Sequence, residues 1–448
     1  MKAGFEKDTI YTVLVKIPTT VCMLIYMVLL TRLLGPEGNG IYTFVITNIN
    51  IAIILLGLGT KASIVFFAAK KRLILEKILG LSLLLLGFGM CIMGLLVCLS
   101  YFDIGRIREF LLPSEYTDAF FLVFVLLVFL FQYLQKTYHS ILTGFTHFKE
   151  INTYQFIGHL VKVFVVANVY VYCLYYELQC SIAFVFSWII LIECINTIVF
   201  TALFFRKIPF RMSYQLSLKE ELIPFFSYGM KQYAYETVEY MNKRLDVLLI
   251  QAYRGTVALG QYGLATQVTN FMLELSWPIN VVLFPHLTKM PKEEGGQLFC
   301  KLFRGYLLIH ILFAVCIWGT ADIVIPFVFG EVFSESILPM KLLAIGIVFA
   351  GIRNILNIYN KAYDRQRYSI IGTNIGLLAT VFLGLWLIPL YGIIGAAYVS
   401  MIAYGLTAMF MFFTMFSHFN QPLYLLFVFQ RSDWLWVKEQ YQKLKERK

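Results

Sequence analysis

Runs of about twenty or more predominantly apolar residues recur from one end of this sequence to the other, and that pattern constrains its fold more than any other feature. A bilayer presents a hydrocarbon core about 30 Å thick, which an α-helix crosses in roughly 20 residues. Inside lipid the backbone finds no water to bond, so only helices or a closed barrel can span. Barrel strands are alternating segments of about 10 residues. The runs here are longer and continuously apolar, so helices are the outcome. Composition agrees: 59% of the 448 residues are hydrophobic and 14% charged, with a mean hydropathy of +0.74, more apolar and less charged than a water-soluble domain.

Counted between charged or Gly/Pro punctuation, the runs predict helices near 10–31, 40–67, 78–101, 118–144, 151–176, 181–205, 219–250, 257–286, 298–325, 336–361, 367–389 and 392–416. The expected fold is an all-α integral membrane protein of about 12 transmembrane helices in two six-helix lobes. The lobes run over 1–205 and 219–416, with a cytoplasmic linker at 206–218 and a basic tail at 417–448. No internal repeat is visible between them at the residue level. Alternate connections are rich in Lys and Arg, among them Lys70–Arg72, Arg206–Lys219 and Lys361–Arg367, while the intervening ones are short or acidic. Positive charge stays on the cytoplasmic side, so both termini are expected there, with Arg106, Arg108 and Arg254 as scattered exceptions. The amino-terminal run has no small-residue cleavage site and reads as an uncleaved first helix. The tail, with Trp434, Trp436 and basic residues from Lys438 onward, reads as an interfacial helix against anionic lipid. The eight cysteines lie mostly inside apolar runs without CxxC spacing, and are expected to be small core residues rather than disulfide or metal partners.

Several segments, in order along the chain, carry a resemblance. They are Thr31-Arg-Leu-Leu-Gly-Pro-Glu-Gly-Asn-Gly-Ile-Tyr42, Leu142-Thr-Gly-Phe-Thr-His-Phe-Lys-Glu-Ile-Asn152 and Asn242-Lys-Arg-Leu-Asp-Val-Leu-Leu-Ile250. Then follow Leu259-Gly-Gln-Tyr-Gly-Leu-Ala265, Leu283-Phe-Pro-His-Leu287, Val328-Phe-Gly-Glu-Val-Phe333 and Ile388-Pro-Leu-Tyr-Gly-Ile-Ile-Gly-Ala-Ala397. Together they resemble the Wzx-type polysaccharide flippases, a branch of the multidrug/oligosaccharidyl-lipid/polysaccharide (MOP/MATE) exporter superfamily. The resemblance implies a transporter of the bacterial cytoplasmic membrane, using alternating access of two lobes to move an undecaprenyl-diphosphate-linked repeat unit of O-antigen, capsule or exopolysaccharide. It implies lipid-linked oligosaccharide and membrane lipids as partners, with polysaccharide polymerase and export machinery beside them, and no cofactor.

Independently of any family, an ionisable side chain inside a span is expensive and marks a cavity or ion path. Lys16 shares a face of the first helix with Thr12 and Thr19, and Lys61 follows a Gly57-Leu-Gly59 bend. The fourth helix carries Gln132, Gln135, Lys136, His139 and Thr143, and the fifth Asn152, Gln155, His159 and Lys162, each at helical steps. These stripes line one aqueous cavity or bond to each other within the bundle. The seventh helix is the least apolar, with Glu236, Glu239, Lys243 and Asp246 on one face and Glu239 to Lys243 a favourable i,i+4 pair. The eighth adds Gln267, Asn270 and Glu274, and the tenth Arg353, whose counter-ion is expected to be Glu274, Glu236, Glu239 or the substrate. A diphosphate attracts cations far more strongly in a low-dielectric cavity than in water. Lys16, Lys61, Lys162 and Arg353 are therefore the expected substrate-binding residues, and Glu236, Glu239 and Glu274 the coupling or gating residues.

Other classes fit less well. The basic residues lie in loops where orientation demands them, which removes nucleic acid as a partner. The six histidines show no metal-ligand spacing, so no metal site is expected. A membrane polymerase or ligase would need a sizeable outer loop, and none is long enough. A drug/cation antiporter of the same superfamily would have an acidic amino-terminal lobe, whereas here the lysines dominate it and Glu193 is the main acid within a span.

Overall fold

The computed structural model describes the chain except residues 1, 71–72, 105–106, 117, 178–179, 209–210, 212, 215–216, 276–282, 284–286, 289, 291, 418, 420, 423 and 429–448, and except the side chains of 2–14, 231, 275 and 292. Among the described residues every regular element is a helix: α1 (Lys2–Gly57), α2 (Thr60–Ala69), α3 (Leu75–Tyr101), α4 (Ile107–Leu111), α5 (Ala119–Gly144), α6 (Phe148–Tyr175), α7 (Ile182–Lys207), α8 (Ile223–Leu275), α9 (Lys292–Val324), α10 (Ile337–Ala362), α11 (Gln366–Phe416) and α12 (Tyr424–Phe427). A π-turn (Leu218–Leu222) leads into α8, and a π-turn (Ile325–Phe329) and a 3₁₀ stretch (Glu331–Ser336) join α9 to α10. The basic tail from Arg431 to Lys448, expected to form an interfacial helix, lies outside the described residues.

Three of these helices each hold two of the expected spans. α1, α8 and α11 break at Gly35 (φ 63°), Gly255 (φ 77°) and Gly392 (φ 59°). Only a residue without Cβ adopts that left-handed backbone cheaply, so glycine turns the chain back without a loop. Counting each break once, six spans precede the linker and six follow it among the described residues, which is the twelve-helix fold. Among the described residues eight stretches are individually long and apolar enough to cross a bilayer, making this a multi-pass membrane protein; the polar α8 is not among them. Large apolar side chains such as Phe164 (71% exposed) and Phe382 (70%) point outward, as lipid contact allows and water would not.

The structure corrects the sequence reading in four places. The first helix extends back to Lys2. The second expected span is cut where Leu58 and Gly59 are both left-handed, so the expected bend is a full break before α2. The connection between α3 and α5 contains the short helix α4, too short to show as a hydropathy run. Finally, Cys173 and Cys180, though packed against the core as expected, are joined in a disulfide across the α6–α7 connection, which the sequence reading does not expect.

The chain divides into two compact units. The first comprises Met1–Leu264, Val324–Ser336 and Ile388–Ile393, and the second Ala265–Ile323, Ile337–Leu387 and Ile394–Lys448. In the first, α1 packs along α6, and α5 along α7, α2 and α3. Its core is aromatic and aliphatic, with Ile41, Phe124, Phe129 and Phe186 toward one end and Ile141, Phe200, Phe204 and Phe225 toward the other. In the second, Phe299, Phe303, Tyr306 and Met411 pack between α9, α10 and α11.

Within the first unit lies a repeat that the sequence analysis does not see. Gly35, Gly40 and Tyr42 recur as Gly255, Gly260 and Tyr262, and the two breaks share one conformation, ψ −176° at Gly35 and −173° at Gly255. The copies pack reciprocally. A Cβ on Gly40 would meet the carbonyl oxygen of Thr256 at 1.9 Å, and one on Gly260 would meet that of Pro36 at 1.7 Å. Thr256 and Pro36 are themselves equivalent, each following its break, so the contact is two-fold symmetric.

Candidate functional site

The polar stripes foreseen on the fourth and fifth spans, α5 and α6, meet α1 and α7 in a buried seam of the first unit. At its centre the ammonium of Lys162 on α6 bonds Oε1 of Glu193 on α7 at 3.0 Å. The other carboxylate oxygen, Oε2, accepts from Nε2 of Gln135 on α5 at 3.1 Å. Gln135 is pinned in turn. It donates to Thr197 Oγ1 at 2.9 Å and accepts from the Tyr154 hydroxyl at 2.8 Å, whose ring stacks on Phe200. The Lys162 ammonium also lies 5.7 Å from the Tyr26 ring centroid on α1.

The seam continues through Lys136, which feels the charge of Glu193 and donates to Asn50 Oδ1 on α1. Lys61, at the start of α2, acts electrostatically on Lys136, His139 and Glu236 of α8. At the opposite limit Lys16 acts on His159, one turn from Lys162. Four half-buried lysines thus face two carboxylates, Glu193 and Glu236, leaving an excess of positive charge in a low-dielectric site.

Of the expected site residues, the first unit brings Lys16, Lys61, Lys162 and Glu236 together. Glu239 forms the expected i,i+4 pair with Lys243 at 2.7 Å and also acts electrostatically on Glu236. Asp246 on the same helix is buried, accepts from the Tyr262 hydroxyl at 2.5 Å, and is structural. Arg353 and Glu274 belong to the second unit. Arg353 is 5% exposed and stacks 5.4 Å from the Tyr404 ring centroid; one guanidinium nitrogen, Nη1, has no hydrogen-bond partner and no carboxylate pairs with it among the described residues. The counter-ion expected from Glu274, Glu236 or Glu239 is not supplied there. Sequence reasoning saw Lys136 and Glu193 but gave neither a site role; their signal was the match of helical step between α5 and α6, which α7 completes. Among the described residues no group of three or more His, Cys, Asp or Glu is placed to hold a metal ion.

A second polar network occupies the end of the first unit that carries Gly35 and Gly255. Arg32, just before the first break, donates Nε to the carbonyl of Val328 and Nη2 to that of Phe327, both at 2.6 Å, and Nη1 to the Tyr170 hydroxyl at 3.1 Å. Arg254, just before the second break, donates Nη2 to Pro389 at 2.6 Å and to Leu390 at 3.2 Å. Gln261 donates to the Val332 carbonyl at 2.6 Å and accepts from Ser336 at 2.6 Å, while Asn39 donates to Gly260 at 2.7 Å. The two arginines cap carbonyls left open where helical segments end or break. Arg254, an exception to the charge distribution, is engaged in this capping.

The fold is that of the MOP superfamily. A lipid II flippase, MurJ, in an inward closed conformation superposes with a TM-score of 0.74 at 15% identity, over 93% of this chain and 89% of that one. A mutant of the Vibrio cholerae MATE transporter VcmN gives a TM-score of 0.64 at 14% identity over 94% and 99%. A MOP superfamily transporter from Pyrococcus furiosus, described as having a binding pocket of reverse polarity, gives 0.60 at 14% over 93% and 97%. At the level of sequence no curated protein matches. The profile of the polysaccharide biosynthesis protein family matches residues 5–291, and the chain belongs to that family.

Proposed function

We propose that this protein is a flippase that moves undecaprenyl-diphosphate-linked oligosaccharide repeat units across the bacterial cytoplasmic membrane by alternating access. The observation that carries the reading is the lysine-rich seam in a member of a polysaccharide biosynthesis family. Lys16, Lys61 and Lys162 hold the diphosphate, and Arg353, the under-partnered guanidinium of the second unit, supplies a further anion contact. At about 4 Å, unit charges attract by about 4 kcal/mol at an effective dielectric of 20 but only about 1 kcal/mol in water, so a dry cationic site selects a diphosphate from bulk anions. Glu236, Glu239 and Glu274 serve coupling or gating. The lobes 1–205 and 219–416 move against one another, both termini lie in the cytoplasm, and the end carrying Gly35 and Gly255 faces outward. There the Arg32 and Arg254 network is the seal that opens to release the product, toward polymerase and export machinery.

A drug/cation antiporter is the second reading, and Glu193 is the observation in its favour, since a buried amino-terminal carboxylate suits a cation. That carboxylate is already neutralised by Lys162 and supported by Gln135, which weighs against it. The test is protection of a labelled undecaprenyl-diphosphate oligosaccharide from an external sugar oxidant in proteoliposomes, comparing wild type with a Lys16→Ala, Arg353→Ala double variant. Movement by wild type that is lost in the variant supports the flippase. No movement, with a cationic drug extruded instead, replaces it by the antiporter.

A further inference from the structure

Lys162 and Glu193 are not equally free to move. The Lys162 side chain is 24% exposed and that of Glu193 8%. Lys162 has a flexible four-carbon stem and one carboxylate partner among the described residues. Glu193 keeps a second donor, Gln135 at 3.1 Å, which is fixed by Thr197 and Tyr154, and Lys136 stays within electrostatic reach. If the ammonium swings away, the carboxylate keeps a hydrogen bond and a neighbouring positive charge. The reverse is less favourable, since removing Glu193 leaves Lys162 with no carboxylate partner among the described residues, only the Tyr26 ring and the neighbouring Tyr42.

We infer that Glu193 is a built-in stand-in for the substrate's diphosphate: it holds Lys162 in the empty protein and yields it to the diphosphate on binding, remaining on Gln135 itself. This rests on the flippase reading above. A diphosphate carries more negative charge and more acceptor oxygens than one carboxylate, so it outcompetes Glu193 for the ammonium. The exchange also serves the empty protein, which must return across its cycle after release. An ammonium left bare in a buried site is strongly unfavourable, and Glu193 removes that obstacle by taking Lys162 back. Glu193 therefore weakens substrate binding and hastens release and reset, the effect of an internal competitor.

The test measures binding of inorganic pyrophosphate to the full-length protein in detergent by calorimetry, for wild type, Glu193→Gln, Lys162→Gln and the double variant, with size-exclusion profiles as a check on folding. Glu193→Gln is expected to bind about tenfold tighter, the scale of one charge-assisted hydrogen bond released to the ligand, and to turn over more slowly in proteoliposomes. Lys162→Gln is expected to bind about tenfold weaker, and in the double variant the gain from Glu193→Gln is expected to vanish, because there is no ammonium left to release. Glu193→Asp, which lengthens the pair while keeping the charge, gives a smaller tightening and substitutes if the glutamine variant does not fold. Weaker binding in Lys162→Gln with no tightening in either Glu193 variant overturns the exchange but leaves the flippase reading standing. Pyrophosphate binding that is absent, or indifferent to Lys162, overturns both.

Discussion

Two sets of cations in the first unit are held in opposite ways. At the end that carries Gly35 and Gly255, Arg32 and Arg254 donate to backbone carbonyls of Phe327, Val328, Pro389 and Leu390. In the seam, Lys162 and Lys136 are held by side chains, Glu193 and Asn50. A carbonyl at a helix end moves only when the helix moves, so an arginine bound to it reports and resists rearrangement of whole segments. A carboxylate or amide can release its partner while the backbone stands still. The planar guanidinium suits the first task and the compact, mobile ammonium the second. On the proposed function, the contrast gives conformational locking to the arginines and ligand exchange to the lysines.

The comparison is broken most forcefully at Lys162. Lys162→Ala removes the ammonium and leaves the buried Glu193 carboxylate with Gln135 as its donor and Lys136 within electrostatic reach, for which about 3 kcal/mol of destabilisation is expected, the lower end of the range for a broken buried pair because those two contacts remain and the Lys162 side chain is partly exposed. Thermal unfolding in detergent reads this as a clear fall in Tm, and Lys162→Ala combined with Glu193→Gln restores much of it. If the double variant is no more stable than the single, the pair is not what stabilises the seam. Next comes Gly40→Ala, whose methyl would overlap the Thr256 carbonyl. Overpacking against backbone costs about 1–3 kcal/mol or more. The expected result is loss of transport with raised labelling, by an impermeant thiol reagent, of a cysteine placed at Val257, while pyrophosphate binding in the seam stays intact. Unaltered labelling would mean that the glycine contact is not part of the seal.

Smaller effects are expected from the arginines singly. Arg32→Ala leaves two exposed carbonyls that water can satisfy, so about 1 kcal/mol or less of stability is lost. The larger consequence is conformational: Arg32→Ala and Arg254→Ala together shift the protein toward the state with this end open, read as increased labelling at the same position. Arginine loss that instead lowers pyrophosphate affinity as much as Lys162→Gln would erase the division between the two sets.

Much of this architecture was legible because lipid leaves the chain few choices. Apolar runs marked the spans, Gly57 and Gly59 marked a bend where the chain breaks fully before α2, and the charge content of the seventh span set α8 apart from the apolar ones. The reciprocal glycine contact was not legible, since the two copies share few identities, Gly35, Gly40 and Tyr42 with Gly255, Gly260 and Tyr262 among them, and backbone conformation rather than side-chain identity carries the repeat. The Cys173–Cys180 disulfide was hidden because the intervening turn, not any spacing signature, brings the sulfurs together. In the seam, helical periodicity placed His159 and Lys162 on one face of α6 but could not say which carboxylate would face them. Glu193 comes from α7, and only tertiary packing aligns the two helices.

The smallest effect belongs to a third kind of cation contact, the pair of Lys77 with Glu221 at 2.7 Å where α3 meets the turn before α8, in which the lysine is as exposed as Lys162 but the carboxylate is more exposed than Glu193. Such pairs contribute about 0–1 kcal/mol, so this one is the baseline against which the buried pair is judged. Glu221 is held below the ordinary glutamate range, first by the hydrogen bond from Lys77 and then by the backbone N–H of Ser217. A carboxylate depressed in the folded state favours folding above its unfolded pKa, and that contribution is lost as the pH falls through the folded value. Lys77→Ala is therefore expected to lower Tm slightly at about pH 7, and that deficit is expected to vanish as the pH falls through the folded pKa of Glu221, below which the carboxylate is protonated with or without its partner. A deficit that persisted in acid would show that the lysine acts through packing of its stem rather than its charge. A deficit at neutral pH as large as that of Lys162→Ala would show that burial adds nothing to the seam pair, and the contrast between exchangeable and fixed cations would lose its energetic basis.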